Sequence, residues 1–429
     1  MSPSRRTLLK AGVPVALGGA GLGYWQRRRI RRRDDLEPLE EAAALETPTV
    51  GEPVATSDAI VQAGHEDARA HLEHTEELAA DVPEETTVPG LERRLDQAAD
   101  GLEANPPGAA ETDGDRLETL QSYRLAMANS GSARGAISIE TQEEDGAREA
   151  LRVLVDEATA VRDALEISYE GDPFTTAIVQ YGAVDQRVTS ASSRLGRLDD
   201  RTISREEPNP VHWESVAVSR FDLETAARYL EELDGPELTE ALESGYESLA
   251  DRTESIVEET EFVLEDDVRN YTTTVWRHLW DSERPAENAH ESGRVARALR
   301  DQSQALAIAH TLEEFVDVPE FRAWDEREED VPRTGVALHE AAAAAAVELE
   351  DTLEVVGDDP LGRLLLEEPA RDLENVQSRA DRLRDDVRSI ADDDWTRRIA
   401  QSALRCRRAG AYAAAVPGVL DEVRAFDPV

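Results

Sequence analysis

The chain has 429 residues, with 92 Asp and Glu against 47 Lys and Arg, and a formal net charge of -45 at pH 7. Such a field repels polyanions and offers no cationic surface to release counterions from a phosphate backbone, so nucleic acid is excluded as a partner. Hydrophobic residues make up 40% of the chain, enough to close one or two cores and exclude bulk disorder, while a single cysteine excludes an intrachain disulfide framework.

At the N-terminus, Ser4-Arg5-Arg6-Thr7-Leu8-Leu9-Lys10 precedes an uncharged segment from Ala11 to Trp25 that contains five glycines. The pattern of a hydroxyl residue, paired arginines, two leucines and a lysine, formed by Ser4, Arg5, Arg6, Leu8, Leu9 and Lys10, resembles a twin-arginine export signal. That resemblance implies export of an already folded protein and membrane contact through residues 8–25. The cationic run Arg27, Arg28, Arg29, Arg31, Arg32 and Arg33 follows at once, and cationic flanks normally stay on the cytoplasmic side. The alternative topology is therefore an uncleaved anchor holding the body at the cytoplasmic face. Ala42-Ala43-Ala44 is the small-residue triplet beyond the arginines that resembles a cleavage site. Lys10 is the only lysine, and an acid excess with almost no lysine resembles the composition of proteins from halophiles that keep molar salt inside the cell.

Residues 1–33 thus read as a signal or anchor, and residues 34–56 as a linker, because Thr47-Pro48-Thr49-Val50-Gly51-Glu52-Pro53 is rich in turn-formers. Beyond it the dominant rhythm is apolar residues at steps of three and four, the spacing of helices packed on helices. It runs through Leu151, Leu154, Val155, Ala158, Val161 and Leu165, then Val184, Val188, Ala191, Leu195 and Leu198. Leu242, Leu249, Ile256 and Val263 recur every seven residues; Leu338, Ala342, Ala345, Leu349, Thr352 and Val356 follow, then Leu373, Val376, Ala380, Leu383, Val387 and Ile390. No comparable run alternates with period two, so strands are not expected. Pro and Gly recur at Asp81-Val82-Pro83, Val88-Pro89-Gly90, Asn105-Pro106-Pro107-Gly108, Glu170-Gly171-Asp172-Pro173, Pro208-Asn209-Pro210, Asp234-Gly235-Pro236, Val318-Pro319, Val331-Pro332 and Gly357-Asp358-Asp359-Pro360. The chain must double back at these points. The expectation is an all-α protein of antiparallel helical bundles with about ten to twelve helices. A single core stops growing near 250–300 residues, so two bundles are expected, over 57–207 and 211–429 with the seam at Pro208-Asn209-Pro210.

Chemistry-bearing motifs are sparse. Asp67, His71 and His74 fall at i, i+4 and i+7 on one helix face, where a carboxylate and two imidazoles have the composition of a Zn or Fe site. Glu287 and His290 have the spacing of a di-iron carboxylate motif, but that architecture uses the motif twice and no second copy occurs. Cys406 lies in register with Trp395, Ile399 and Ser402, which points to a buried, inert thiol. No glycine-rich phosphate loop or Gly-x-Ser-x-Gly elbow is present, so no cofactor is expected. Tyr271, Trp276 and Trp280 concentrate aromatic rings in a chain with 5% aromatic residues; Trp276 and Trp280 share a helix face and form either a core anchor or a contact for a protein partner. The sequence alone favours a non-catalytic binding or scaffold protein, exported or held at the outer face of the cytoplasmic membrane. The competing class is a metal-dependent enzyme or sensor built on Asp67, His71 and His74.

Overall fold

The computed structural model describes residues 32–51, 54–261, 271–316, 333–386 and 390–428. The targeting residues Ser4, Arg5, Arg6, Leu8, Leu9 and Lys10 and the segment 8–25 lie outside them, as do Val263, Pro319, Pro332 and Val387. Among the described residues there are fourteen helices and no strand; one isolated antiparallel bridge pairs Glu170 with Glu237. No helix among them is long and apolar enough to cross a membrane.

Helix α1 (Arg33–Ala43) comes first, in the segment expected to be a linker. Leu39 and Ala42 are fully buried against the helices Gly335–Val356 and Pro360–Asp385 of the C-terminal half. Asp35 Oδ1 accepts a hydrogen bond from Gly335 N at 2.6 Å, and Arg32 stacks over Trp395 while donating to Ile390 O. The turn-forming stretch begins only after Glu46, and Leu36 and Leu39 upstream of it supply an apolar face that the linker reading overlooked.

The N-terminal half comprises α2 (Asp58–Ala80), α3 (Leu91–Ala104), α4 (Asp113–Thr141), α5 (Glu144–Ala164), α6 (Phe174–Gly196), the short α7 (Asp200–Arg205) and α8 (Pro210–Glu231). Side-chain caps fix the starts of α2, α4 and α8: Ser57 accepts from Ile60 N ahead of α2, Thr112 and Asp115 form a reciprocal capping box ahead of α4, and Asn209 accepts from Val211 N ahead of Pro210 in α8. Helix α8 is the centre of this half, with α4, α5 and α6 packed around it. The seam expected at Pro208-Asn209-Pro210 is thus a turn inside one packing unit. Glycines let α4 lie close to α8: a Cβ at Gly131 would stand 2.7 Å from Ala217 Cβ, and one at Gly135 3.0 Å from Pro210 Cα and the Trp213 ring.

The C-terminal half comprises α9 (Thr239–Glu261), α10 (Tyr271–Glu291), α11 (Val295–Val316), α12 (Gly335–Val356), α13 (Pro360–Asp385) and α14 (Asp392–Arg424). Its core takes the described members of the sequence stripes, including Leu242, Leu249, Ile256, Leu338, Leu349, Leu373 and Val376, together with much alanine. Pro38, Pro285, Pro369 and Pro417 all lie inside helices, so proline alone does not mark the turns. The two halves join through α6, whose first turns place Phe174, Ile178 and Tyr181 in the C-terminal core while Val184, Ala191 and Leu195 pack in the N-terminal cores.

Candidate binding groove

Helices α4 and α6 both pack along α8 and leave a groove of about 720 Å³ between them. Its floor is the face of α8 that carries Glu214, Val218 and Asp222, spaced one turn apart. The α4 wall supplies Leu117, Arg124 and Leu125, and the α6 wall supplies Ala183, Arg187 and Arg194.

Asp222 anchors the polar end. Its side chain is 4% exposed and takes a two-pronged contact from Arg124, Nε to Oδ1 at 2.9 Å and Nη2 to Oδ2 at 3.2 Å. Arg194 Nη1 donates to Oδ2 at 2.7 Å, and Arg187 Nη1 stands 3.8 Å from Oδ1 while its guanidinium lies over the Tyr229 ring. Three guanidiniums therefore share one carboxylate, and each presents five N–H donors in a planar fork. Asp222 occupies a minority of those donors, so the rest can face the groove. Next to Arg124 on the α4 wall, Leu125 is 63% exposed.

The C-terminal half contains a second cluster of arginines on an aspartate. Arg408 Nε donates to Asp372 Oδ2 at 3.0 Å and its Nη2 makes a shorter contact to the same oxygen. Arg405 Nε lies 3.7 Å from Asp372 Oδ1, and Glu368 meets both Arg408 and the Gln304 amide. Here two arginines face two carboxylates, and the Arg408 side chain is 7% exposed. Burial, reinforced by Arg408, lowers the pKa of His278 beside this cluster. Burial pushes the nearby Cys406 thiol up to about 12, and the side chain is buried, as its register with Trp395 and Ile399 implied.

The three side chains read as a metal face do not converge. Asp67 pairs with Arg228, His71 Nδ1 shares a 2.8 Å hydrogen bond with Ser130 Oγ, and His74 points to Glu77. Among the described residues no group of three or more His, Cys, Asp or Glu side chains is arranged to hold a metal ion. The helical spacing was right, but Asp67 and His71 found partners on other helices and His74 faces Glu77 one turn along its own. Burial, with Arg134 and Arg220 adding to it, drops the His71 pKa to about 4, so the ring is a neutral packing element at neutral pH. Of the aromatic pair, Trp280 is 63% exposed on α10, and the Trp276 side chain lies outside the described residues.

A further buried acid sits where the halves meet. Asp185 on α6 is fully buried, 3.4 Å from the Tyr169 hydroxyl, and burial raises its pKa to about 6 against the pull of Arg294, Arg297 and Arg300.

The groove residues escaped sequence reading because they come from three separate helices in an arginine-rich chain. The signal that could have found them is Asp222 itself: an acid between Phe221 and Leu223, four residues after Val218, falls where the apolar rhythm of α8 demands a buried position.

No curated protein and no solved structure matches the chain. Residues 66–244 match a family model described as a domain of unknown function (DUF8262), and residues 235–425 match one described as a domain of unknown function (DUF8264). The chain is therefore similar to two families in tandem, whose matched regions meet at residues 235–244, where the bridge between Glu170 and Glu237 ties the halves together.

Proposed function

We propose that this chain is a non-catalytic helical binding protein, held at the outer face of the cytoplasmic membrane by a retained N-terminal segment, with the α4–α6–α8 groove as its recognition element. The groove carries this reading: a concave site of about 720 Å³ in which aliphatic side chains border a set of convergent polar groups has the form of a small-ligand site. Packing of α1 supports retention of the N-terminus. Cleavage after Ala44 would strip Leu39 and Ala42 out of the C-terminal core and break the Asp35–Gly335 hydrogen bond.

The test is protease treatment of intact cells together with the mass of the purified chain. Digestion of the body, with residues 1–44 still attached in untreated protein, is the expected result. A body protected until the cells are broken, or a mature chain that begins after Ala44, would overturn the reading.

A further inference from the structure

We propose that the groove binds a phosphate monoester carried on an apolar body, with Arg124, Arg187 and Arg194 holding the phosphate and Leu117, Leu125 and Val218 contacting the apolar part. This deepens the binding reading above and rests on it.

The charge around Asp222 is unbalanced. Acids outnumber cations almost two to one in this chain, yet at Asp222 three guanidiniums share a single carboxylate. The other acid on the floor, Glu214, lies two turns along α8, about 12 Å away at 1.5 Å per residue. The local surplus is two positive charges. A phosphate monoester carries about -1.5 to -2 at pH 7 and three acceptor oxygens, which matches that surplus where a carboxylate would neutralise half of it.

Asp222, buried on the floor, holds Arg124 and Arg194 in fixed orientations, so little side-chain freedom is lost when an oxyanion docks. Guanidinium forks pair with phosphate oxygens two at a time, which a lysine ammonium does not.

The apolar part follows from the rest of the lining. The walls from Leu117 to Ala128 and from Ala183 to Arg194 each run about 16 Å; apart from the arginines the α4 wall is mainly aliphatic, with Leu117, Leu125 and Ala128 beside Gln121, while the α6 wall sets Ala183 beside the polar Gln186 and Ser190, and Leu125 is exposed at the rim. An inorganic phosphate would leave that surface wet. An alkyl or aryl substituent covers it, at roughly 25 cal/mol per Å² of apolar area removed from water.

Calorimetric titration of the full chain decides the matter, using octyl phosphate, octanoate, octanol and inorganic phosphate as probes. Octyl phosphate is expected to bind one to one and at least tenfold more tightly than any of the other three, and to weaken as pH falls below about 6, where a phosphate monoester takes up its second proton. Arg187→Gln and Arg194→Gln are each expected to lose at least tenfold in affinity. Leu125→Glu, a substitution at an exposed position, is expected to abolish binding while leaving the circular dichroism spectrum unchanged. All variants keep the same N-terminal segment, so differences between them report the groove. Equal affinity for octyl phosphate and octanol, equal affinity for octyl phosphate and octanoate, or unchanged affinity in Leu125→Glu would each overturn the proposal. Failure here with the protease result intact removes the ligand class alone; the reverse outcome removes the membrane placement alone.

Discussion

Asp222 and Asp372 each gather arginines from neighbouring helices, yet one cluster lies open and the other closed. Around Asp372, two arginines meet two carboxylates and the Arg408 side chain is almost fully buried. Around Asp222, three arginines 20–37% exposed meet one carboxylate and border a groove. The buried network is complete within the chain, so its role is to fix the packing of α13 on α14. The open one is incomplete, and water or a ligand must finish it. In a chain this acidic, the arginine surplus at Asp222 lies where three helices leave space.

Removing each aspartate in turn separates the open cluster from the closed one. Asp372→Ala takes from buried Arg408 its hydrogen-bonded counter-charge, leaving only Glu368 at 3.5 Å, and is expected to cost about 3–5 kcal/mol in denaturant unfolding. Asp222→Ala leaves arginines that reach water and is expected to cost less, about 1–3 kcal/mol. Octyl phosphate should restore part of the loss in Asp222→Ala and none in Asp372→Ala. Equal costs, or rescue of both, would erase the distinction between an open and a closed site.

Much of this architecture was legible in the sequence. The described residues of the three-and-four stripes lie in or against the cores, because period 3.6 leaves a helix little choice of which face to bury. Partner choice between helices is another matter. Nothing local in Pro208-Asn209-Pro210 says that α8 turns back onto α4, a contact set by Gly131 and Gly135 some 75–85 residues earlier in the chain, on the order of half the length of a typical domain. The face of Asp67, His71 and His74 shows the same limit: spacing placed the side chains together, but Arg228 and Ser130 on other helices decided what they bond to.

Acid titration has a smaller effect, and His71 in the N-terminal half and Asp185 at the junction respond in opposite directions. His71 has a folded pKa lowered from 6.5 to about 4, so the unfolded chain takes up its proton first, and stability drawn from the neutral ring is lost as pH falls from 6.5 toward 4. Asp185 has a folded pKa raised from 3.8 to about 6, so its contribution is present below 3.8 and is lost as pH rises through 6. Asp185→Asn is thus expected to raise the unfolding midpoint at pH 7.5 and to bring no gain at pH 3.5. A gain of the same size at both values would show that burial of the charge is not what shifts Asp185.

The most direct measurement of whether the surplus arginines form a site is the unfolding midpoint of the native chain against octyl phosphate concentration, beside that of an Arg187→Gln, Arg194→Gln double variant. A ligand that binds only the folded state stabilises by about 2.7 kcal/mol at a hundredfold excess over its Kd. The native midpoint should climb continuously with ligand while the double variant stays flat. Parallel curves for the two proteins would contradict the assignment of the groove as a phosphate monoester site.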